Sequence, residues 1–157
     1  WKVRLEKEPL SPLYLKTINN NMLEKIYCVD DDVITLMLCK KVIQRADFAK
    51  EILTATNGEE AILFFKELAE QPTPSYPSLT FLDLNMPIMN GWEFLDQYLK
   101  SGYNETFPDA KFIVLSSTID PQDVEKTKNY PMVVDFLSKP ITKEMIELLK
   151  EKAHNKE

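Results

Sequence analysis

Apolar and polar positions repeat along this chain on two different periods, and from Lys25 onward the two periods take turns. Five short apolar runs, Lys25 to Val29, Glu51 to Ala55, Thr80 to Leu82, Lys111 to Leu115 and Val133 to Leu137, are rich in β-branched, leucine or aromatic residues. They predict strands buried on both faces. Between the strands, Ala61, Phe65, Leu68 and Ala69 recur at helical spacing, as do Phe94, Leu95, Tyr98 and Leu99 after Gly91. Near the end Met145, Leu148 and Leu149 form one apolar side, with Lys143, Glu147, Lys150 and Glu151 over much of the rest. The stretch Val33 to Ile43 is apolar nearly all round, which predicts a helix packed on two sides. Asn57 with Glu60 three residues on reads as a capping box, and Asp120 followed by Pro121 as a helix start. Strand and helix alternating five times predict a parallel α/β sheet with helices on both faces.

Residues 1–24 show no such rhythm: they mix charges, Pro9, Pro12 and a run of three asparagines. They are expected to be an N-terminal extension or a linker remnant, with a domain over 25–153 and a short tail at 154–157. The connections Gln71 to Ser78, with three prolines, and Ser101 to Asp109 are expected to be surface loops.

Composition narrows the function classes. At 157 residues and 44% hydrophobic the chain can bury one full core. A net charge of −6 argues against a large phosphate-neutralising surface, so direct DNA binding is not expected. Cys28 and Cys39 fit neither a disulfide framework nor a Cys/His metal spacing and are expected to be reduced core residues. No run of about 18 apolar residues or signal-peptide pattern is present, so membrane insertion is not expected and the cytoplasm is the expected location.

Ligands of an open parallel sheet bind beyond the carboxyl ends of its strands. Four of the five predicted ends carry polar groups: Asp30-Asp31-Asp32, Asp83, Ser116-Ser117-Thr118 and Ser138-Lys139-Pro140. Taken singly each has a plainer reading: a strand-end Asp is a common turn former, Asp32 a helix cap, the serines loop polars, Lys139 a solvated lysine. Together, several carboxylates at one edge repel unless a cation sits among them. Oxygen-only donors with room for water favour Mg²⁺, or Mn²⁺ in its place.

The segments VDDD (29–32), FLDLNMPIMNGWEFL (81–95), VLSS (114–117) and FLSKPIT (136–142) closely resemble, in this order, the receiver domain of two-component response regulators, the chemotaxis receivers included. The resemblance implies a flavodoxin-like (βα)5 fold with strand order 2-1-3-4-5. It implies that Asp83 accepts a phosphoryl group from a sensor histidine kinase or histidine phosphotransfer protein. Asp30, Asp31, Asp83 and the Asn85 backbone carbonyl would hold Mg²⁺, and Lys139 and Ser116 would meet the phosphoryl oxygens. Ser116 and Phe136 would form the switch, Asn85 and Thr118 would tune dephosphorylation, and Pro87, Gly91 and a cis-linked Pro140 would shape the loops. The implied protein is a signalling switch that catalyses only its own phosphorylation and dephosphorylation, binds a downstream protein the sequence does not name, and admits a phosphorylation-dependent homodimer. Two rivals stand beside it. One is a haloacid-dehalogenase-like Mg²⁺-dependent phosphatase, whose Asp-x-Asp-x-Thr/Val motif neither Asp83-Leu-Asn85 nor Asp30-Asp-Asp-Val-Ile34 completes. The other is a pseudo-receiver that binds partners without phosphorylation.

Overall fold

A computed structural model describes residues 2–3 and 22–154, with side chains over 22–151. Most of the expected extension, residues 1 and 4–21, and tail residues 155–157 lie outside the described residues. Their assignment as extension and tail stays an expectation.

The five expected strands are all present: β2 (Leu23–Val29), β3 (Ala49–Ala55), β4 (Leu79–Asp83), β5 (Lys111–Ser116) and β6 (Val133–Ser138), preceded by a two-residue strand β1 (Lys2–Val3). The helices are α1 (Val33–Arg45), α2 (Gly58–Ala69), α3 (Gly91–Lys100), a single turn α4 (Tyr103–Thr106), α5 (Pro121–Thr127) and α6 (Lys143–His154). The sheet order is β1-β6-β5-β4-β2-β3. The five βα strands are mutually parallel and in the expected order 2-1-3-4-5. β1 adds an antiparallel sixth strand at the β6 edge, Lys2 opposite Leu137 and Val3 opposite Phe136, which the strandless reading of residues 1–24 did not foresee.

Two apolar layers sandwich the sheet. One gathers Ile26, Cys28, Leu36, Cys39, Ile43, Phe81, Ile146 and Leu149; the other gathers Tyr27, Phe65, Leu82, Phe94, Tyr98, Phe112 and Phe136. Strand alternation explains the split, since neighbouring residues such as Phe81 and Leu82 point to opposite faces. β4 at the centre is buried throughout, whereas β3 at the edge leaves Glu51 and Thr54 exposed and Ile52 and Leu53 half-buried, so only the inner strands meet the both-faces expectation. Cys28 and Cys39 are free and buried as expected.

Three local expectations need correction. α1 is covered on one side only: Leu36, Cys39 and Ile43 face the sheet, while Val33 (70%), Ile34 (63%), Met37 (47%) and Leu38 (46%) remain exposed. Although α6 touches α1, these four side chains stay open to solvent among the described residues. At α2 the cap is split. Asn57 accepts from the Glu60 N–H at 2.9 Å, but the Glu60 carboxylate reaches back to Thr56, bonding its N–H at 3.1 Å and its hydroxyl at 2.7 Å, not the Asn57 backbone. A reciprocal capping box stands at Asn90 and Glu93, at the start of α3. The Ser101 to Asp109 connection is a loop only in part. Gly102 turns the chain with φ of 75°, α4 follows, and Phe107 is wholly buried against Phe65 and Tyr76. The Gln71 to Ser78 connection is irregular as expected, though its Tyr76 ring packs on Phe107 at 4.9 Å.

Candidate functional site

The ends of β2 and β4 deliver the acids of a pocket at the carboxyl edge of the sheet. Asp30 directly follows β2, and Asp83 is the last residue of β4, paired with Leu115 of β5. Both carboxylates are nearly buried, Asp30 5% and Asp83 6% exposed, whereas Asp31 is exposed at the rim. Asp32 leaves the pocket to cap α1, accepting from the Ile34 N–H at 2.9 Å and the Thr35 N–H at 3.4 Å. One Asp30 oxygen accepts from the Asp32 N–H at 2.9 Å, which fixes the direction of its carboxylate.

Lys139, one residue beyond β6, closes the pocket. Its Nζ lies 2.6 Å from Asp30 Oδ2 and 3.1 Å from Asp83 Oδ1, and its side chain is 18% exposed. Its backbone N–H donates to the Ser116 carbonyl at 2.8 Å, tying the lysine to the end of β5. The Lys139–Pro140 peptide is cis, as expected. Asp30, Asp31 and Asp83 each offer an oxygen, and these oxygens lie within 4.8 Å of one another.

The charges perturb one another in a definite order. Burial pushes the Asp83 carboxyl up to about 6, the neighbouring Asp30 charge adds to the rise, and Lys139 and the Asn85 N–H pull against it. For Lys139 burial works downward, but the hydrogen bond it donates to Asp30 and the charges of Asp83 and Asp30 outweigh it, and the ammonium is held above its ordinary range. Asp83 is thus a carboxylate whose ionisation burial resists first and the Asp30 charge second, with one lysine serving two acids. The donor set fits a hard divalent cation, which oxygen ligands with an open, solvent-facing side accommodate.

The remaining expected site residues lie on β5, on β6 and in the connections that follow β4 and β5. Ser116 is buried at the end of β5, its hydroxyl accepting from the Thr118 N–H at 3.4 Å; Thr118 itself is exposed. Phe136 is fully buried in the aromatic layer, one position from Leu137 on β6. Asn85 is exposed and its N–H serves the Asp83 carboxylate. Pro87 precedes Ile88, whose φ of 69° is a left-handed conformation that a β-branched residue rarely adopts. A cleft of about 400 Å³ is lined by Ser138, Lys139, Pro140, Thr142, Glu144 and Met145, and none of the three clustered aspartates lines it.

Two close approaches hold the Asp83 loop, and sequence reading found only one of them. The Gly91 N–H donates to the Leu84 carbonyl at 2.9 Å, and a Cβ on Gly91 would stand 2.5 Å from the Asp83 carbonyl oxygen and 2.9 Å from Leu84 Cα. Gly58, at the start of α2, donates to the Met89 carbonyl at 2.8 Å, and a Cβ there would meet that oxygen at 2.6 Å. The signal for Gly58 was present: the chain holds only 3 glycines, and this one follows a capping Asn. Replacing Gly91 by Ala is expected to destabilise the protein by about 1–3 kcal/mol, since backbone on both sides must move. Urea unfolding, with its midpoint lowered and its slope unchanged, measures it.

The family model for the response regulator receiver domain matches residues 26–150. The chain belongs to the response regulator receiver family. This receiver is 33% identical over 95 residues to the chemotaxis protein CheY of Thermotoga maritima, covering 60% of this chain and 68% of that protein. It is 36% identical over 72 residues to the probable transcriptional regulator ycf27 of Pyropia yezoensis, covering 46% of this chain and 26% of that protein. Among solved structures, a two component response regulator from Cytophaga hutchinsonii superposes with a TM-score of 0.75 at 30% identity, over 86% of this chain and 99% of that one. The receiver is therefore a CheY-like, flavodoxin-type domain of two-component signalling. No helix among its described residues is long and apolar enough to cross a membrane.

Proposed function

We propose that this receiver accepts a phosphoryl group on Asp83 and that the loaded state changes the surface its partners read. The observation that carries the reading is the convergence of Asp30, Asp31, Asp83 and Lys139 at one strand edge. Asp83 is the nucleophile. One of its carboxylate oxygens forms the O–P bond as the P–N bond of a phosphohistidine donor breaks, and the electron pair stays on the imidazole, which takes a proton from solvent. Lys139 neutralises a phosphoryl oxygen and frees itself from the second acid as it does so. Asp30, Asp31 and Asp83, with the Asn85 carbonyl, would hold Mg²⁺ or Mn²⁺, which when bound supplies charge neutralisation at a phosphoryl oxygen. The Ser116 hydroxyl reaches the remaining oxygen, and its movement makes room that the Phe136 ring tracks. Asn85 and Thr118, both exposed at the rim, tune the approach of hydrolytic water.

The phosphodonor is a sensor histidine kinase or histidine phosphotransfer protein. The exposed apolar side chains Val33, Ile34, Met37 and Leu38 at the start of α1, with Ile88 (74%) after Asp83, flank the pocket and suit an apolar helical partner. The receiver unit is read as 25–153, with its first strand reaching back to Leu23, and the residues before that strand as an extension whose Lys2–Val3 pair joins the sheet. It acts in the cytoplasm as a switch, without turnover of outside substrates.

Incubation with Mg²⁺ and acetyl phosphate is expected to give one acid-stable, base-labile phosphoryl group per chain, read by intact mass. Beryllofluoride with Mg²⁺ is expected to bind in its place. Multiple turnover of added phosphomonoesters would instead support a phosphatase, and absence of both modification and metal affinity a pseudo-receiver.

A further inference from the structure

The β6 edge is closed by a strand of this same chain, and the pocket lysine is the residue that directly follows β6. Lys2 and Val3 pair antiparallel with Leu137 and Phe136. The Lys139 N–H is bonded on the β5 side. Residues two apart on a strand turn their backbone groups to the same neighbour, so Leu137 faces β5 and Phe136 presents its N–H and carbonyl to β1. That N–H also donates to the Asp135 carboxylate at 3.0 Å. Left bare, such an edge is a template for another extended segment.

We infer that the outer edge of β6 is a strand-addition surface occupied in cis by Lys2–Val3, and that its occupancy is coupled to loading of the acidic pocket. Chain length permits the cis pairing. β1 lies four strand positions from β2, about 19 Å across the sheet. The intervening residues 4–22 span more than about 60 Å when extended, so they reach easily. The coupling follows from shared covalent geometry. Phe136 pairs with β1, Ser138 pairs with Ser116, and Lys139 grips Asp30 and Asp83, all within one strand and the residue after it. A strand held on both sides keeps Lys139 positioned before the anion arrives, and preorganised groups bind more tightly. The coupling half of this inference rests on the phosphoacceptor reading; the edge half does not.

The test replaces both strand residues in the full chain, Lys2→Pro with Val3→Pro, because one of any two consecutive residues must donate toward β6 and proline cannot. Amide hydrogen exchange by NMR is expected to show the Phe136 N–H exchanging at least about tenfold faster in the variant, with the Leu137 N–H unchanged. Unaltered Phe136 exchange would overturn the edge assignment, as would wild-type protection that falls on dilution, which marks a strand supplied by a second copy. In the same variant, affinity for beryllofluoride with Mg²⁺ is expected to fall about fivefold or more. Equal affinity in a variant whose edge has opened overturns the coupling. A wild-type protein that binds no beryllofluoride sinks the phosphoacceptor reading and the coupling together, while the exchange comparison still decides the edge.

Discussion

Replacing Asp83 by Asn is expected to abolish acyl phosphate formation and, in the absence of metal, to make the folded protein more stable near neutral pH. On the proposed phosphoacceptor reading the loss is complete, because the carboxylate oxygen would be the atom that bonds phosphorus. The gain follows from the raised carboxyl. Its ordinary value of 3.8 moves to about 6 in the fold, so the folded state favours the protonated form and resists ionisation. Below pH 4 the group is protonated in folded and unfolded chains alike and costs nothing. Between about 4 and 6 the unfolded chain ionises first, and the wild type loses stability as pH rises; above 6 the penalty is full and constant. The step from 3.8 to about 6 is worth about 3 kcal/mol before screening, and the open rim at exposed Asp31 reduces it to about 1–2 kcal/mol. Asn carries no charge and escapes it. Thermal unfolding of both proteins from pH 4 to 8 measures the effect: the two curves should meet at the acid end and part toward neutrality. A constant gap across that range, or a variant less stable at pH 7.5, would sink the account. Mg²⁺ should narrow the gap by stabilising the wild type, whose ionised carboxylate gains a partner.

The largest stability loss is expected far from the chemistry, at Phe65→Ala, which should cost about 3–5 kcal/mol. The ring is fully buried and sits among six others: Tyr98 at 5.2 Å and edge-on, Phe64 at 5.4 Å, Phe107 at 5.5 Å, Tyr27 and Phe112 at 6.0 Å, and Phe94 at 6.1 Å. Truncation leaves a void that helices on both sides and the sheet beneath cannot close without breaking several of these contacts. Since domains of this size are stable by about 5–15 kcal/mol, the variant should lie close to its unfolding threshold. Phe65→Leu, which retains most of the volume, should lose much less. Chemical denaturation of the three proteins measures the series, and an alanine variant within about 1 kcal/mol of the wild type would mean the layer collapses freely.

The centre of the fold was legible because its patterns are local. The strand β4 reads as buried from Thr80 to Leu82 without knowledge of its neighbours, and the stripe Ala61, Phe65, Leu68 places α2 on the sheet by helical spacing alone. Asp30, Asp83 and Lys139 could be assigned to one edge because a parallel sheet puts every strand's carboxyl end on the same side. Side-chain hydrophobicity, by contrast, records a preference for leaving water and not whether any element arrives to cover it. That is why Val33, Ile34, Met37 and Leu38 read as a second buried face and are exposed. Phe107 shows the reverse: one aromatic in a short connection has no periodicity, yet it fills the space beside Phe65.

From its residues alone this protein's chain determined the alternating elements, the order in which acids, hydroxyls and lysine follow successive strands, and the likeness to receivers that those motifs carry. Only the folded arrangement decided that one ammonium spans two carboxylates, that Gly58 and Gly91 each pack closely on backbone of the Asp83 loop, and that Lys2–Val3 closes the β6 edge. The division has one physical cause. Period and propensity act between residues near in sequence, while a shared proton donor, a backbone contact under 3 Å and a strand pairing depend on distances that exist only after remote segments have met.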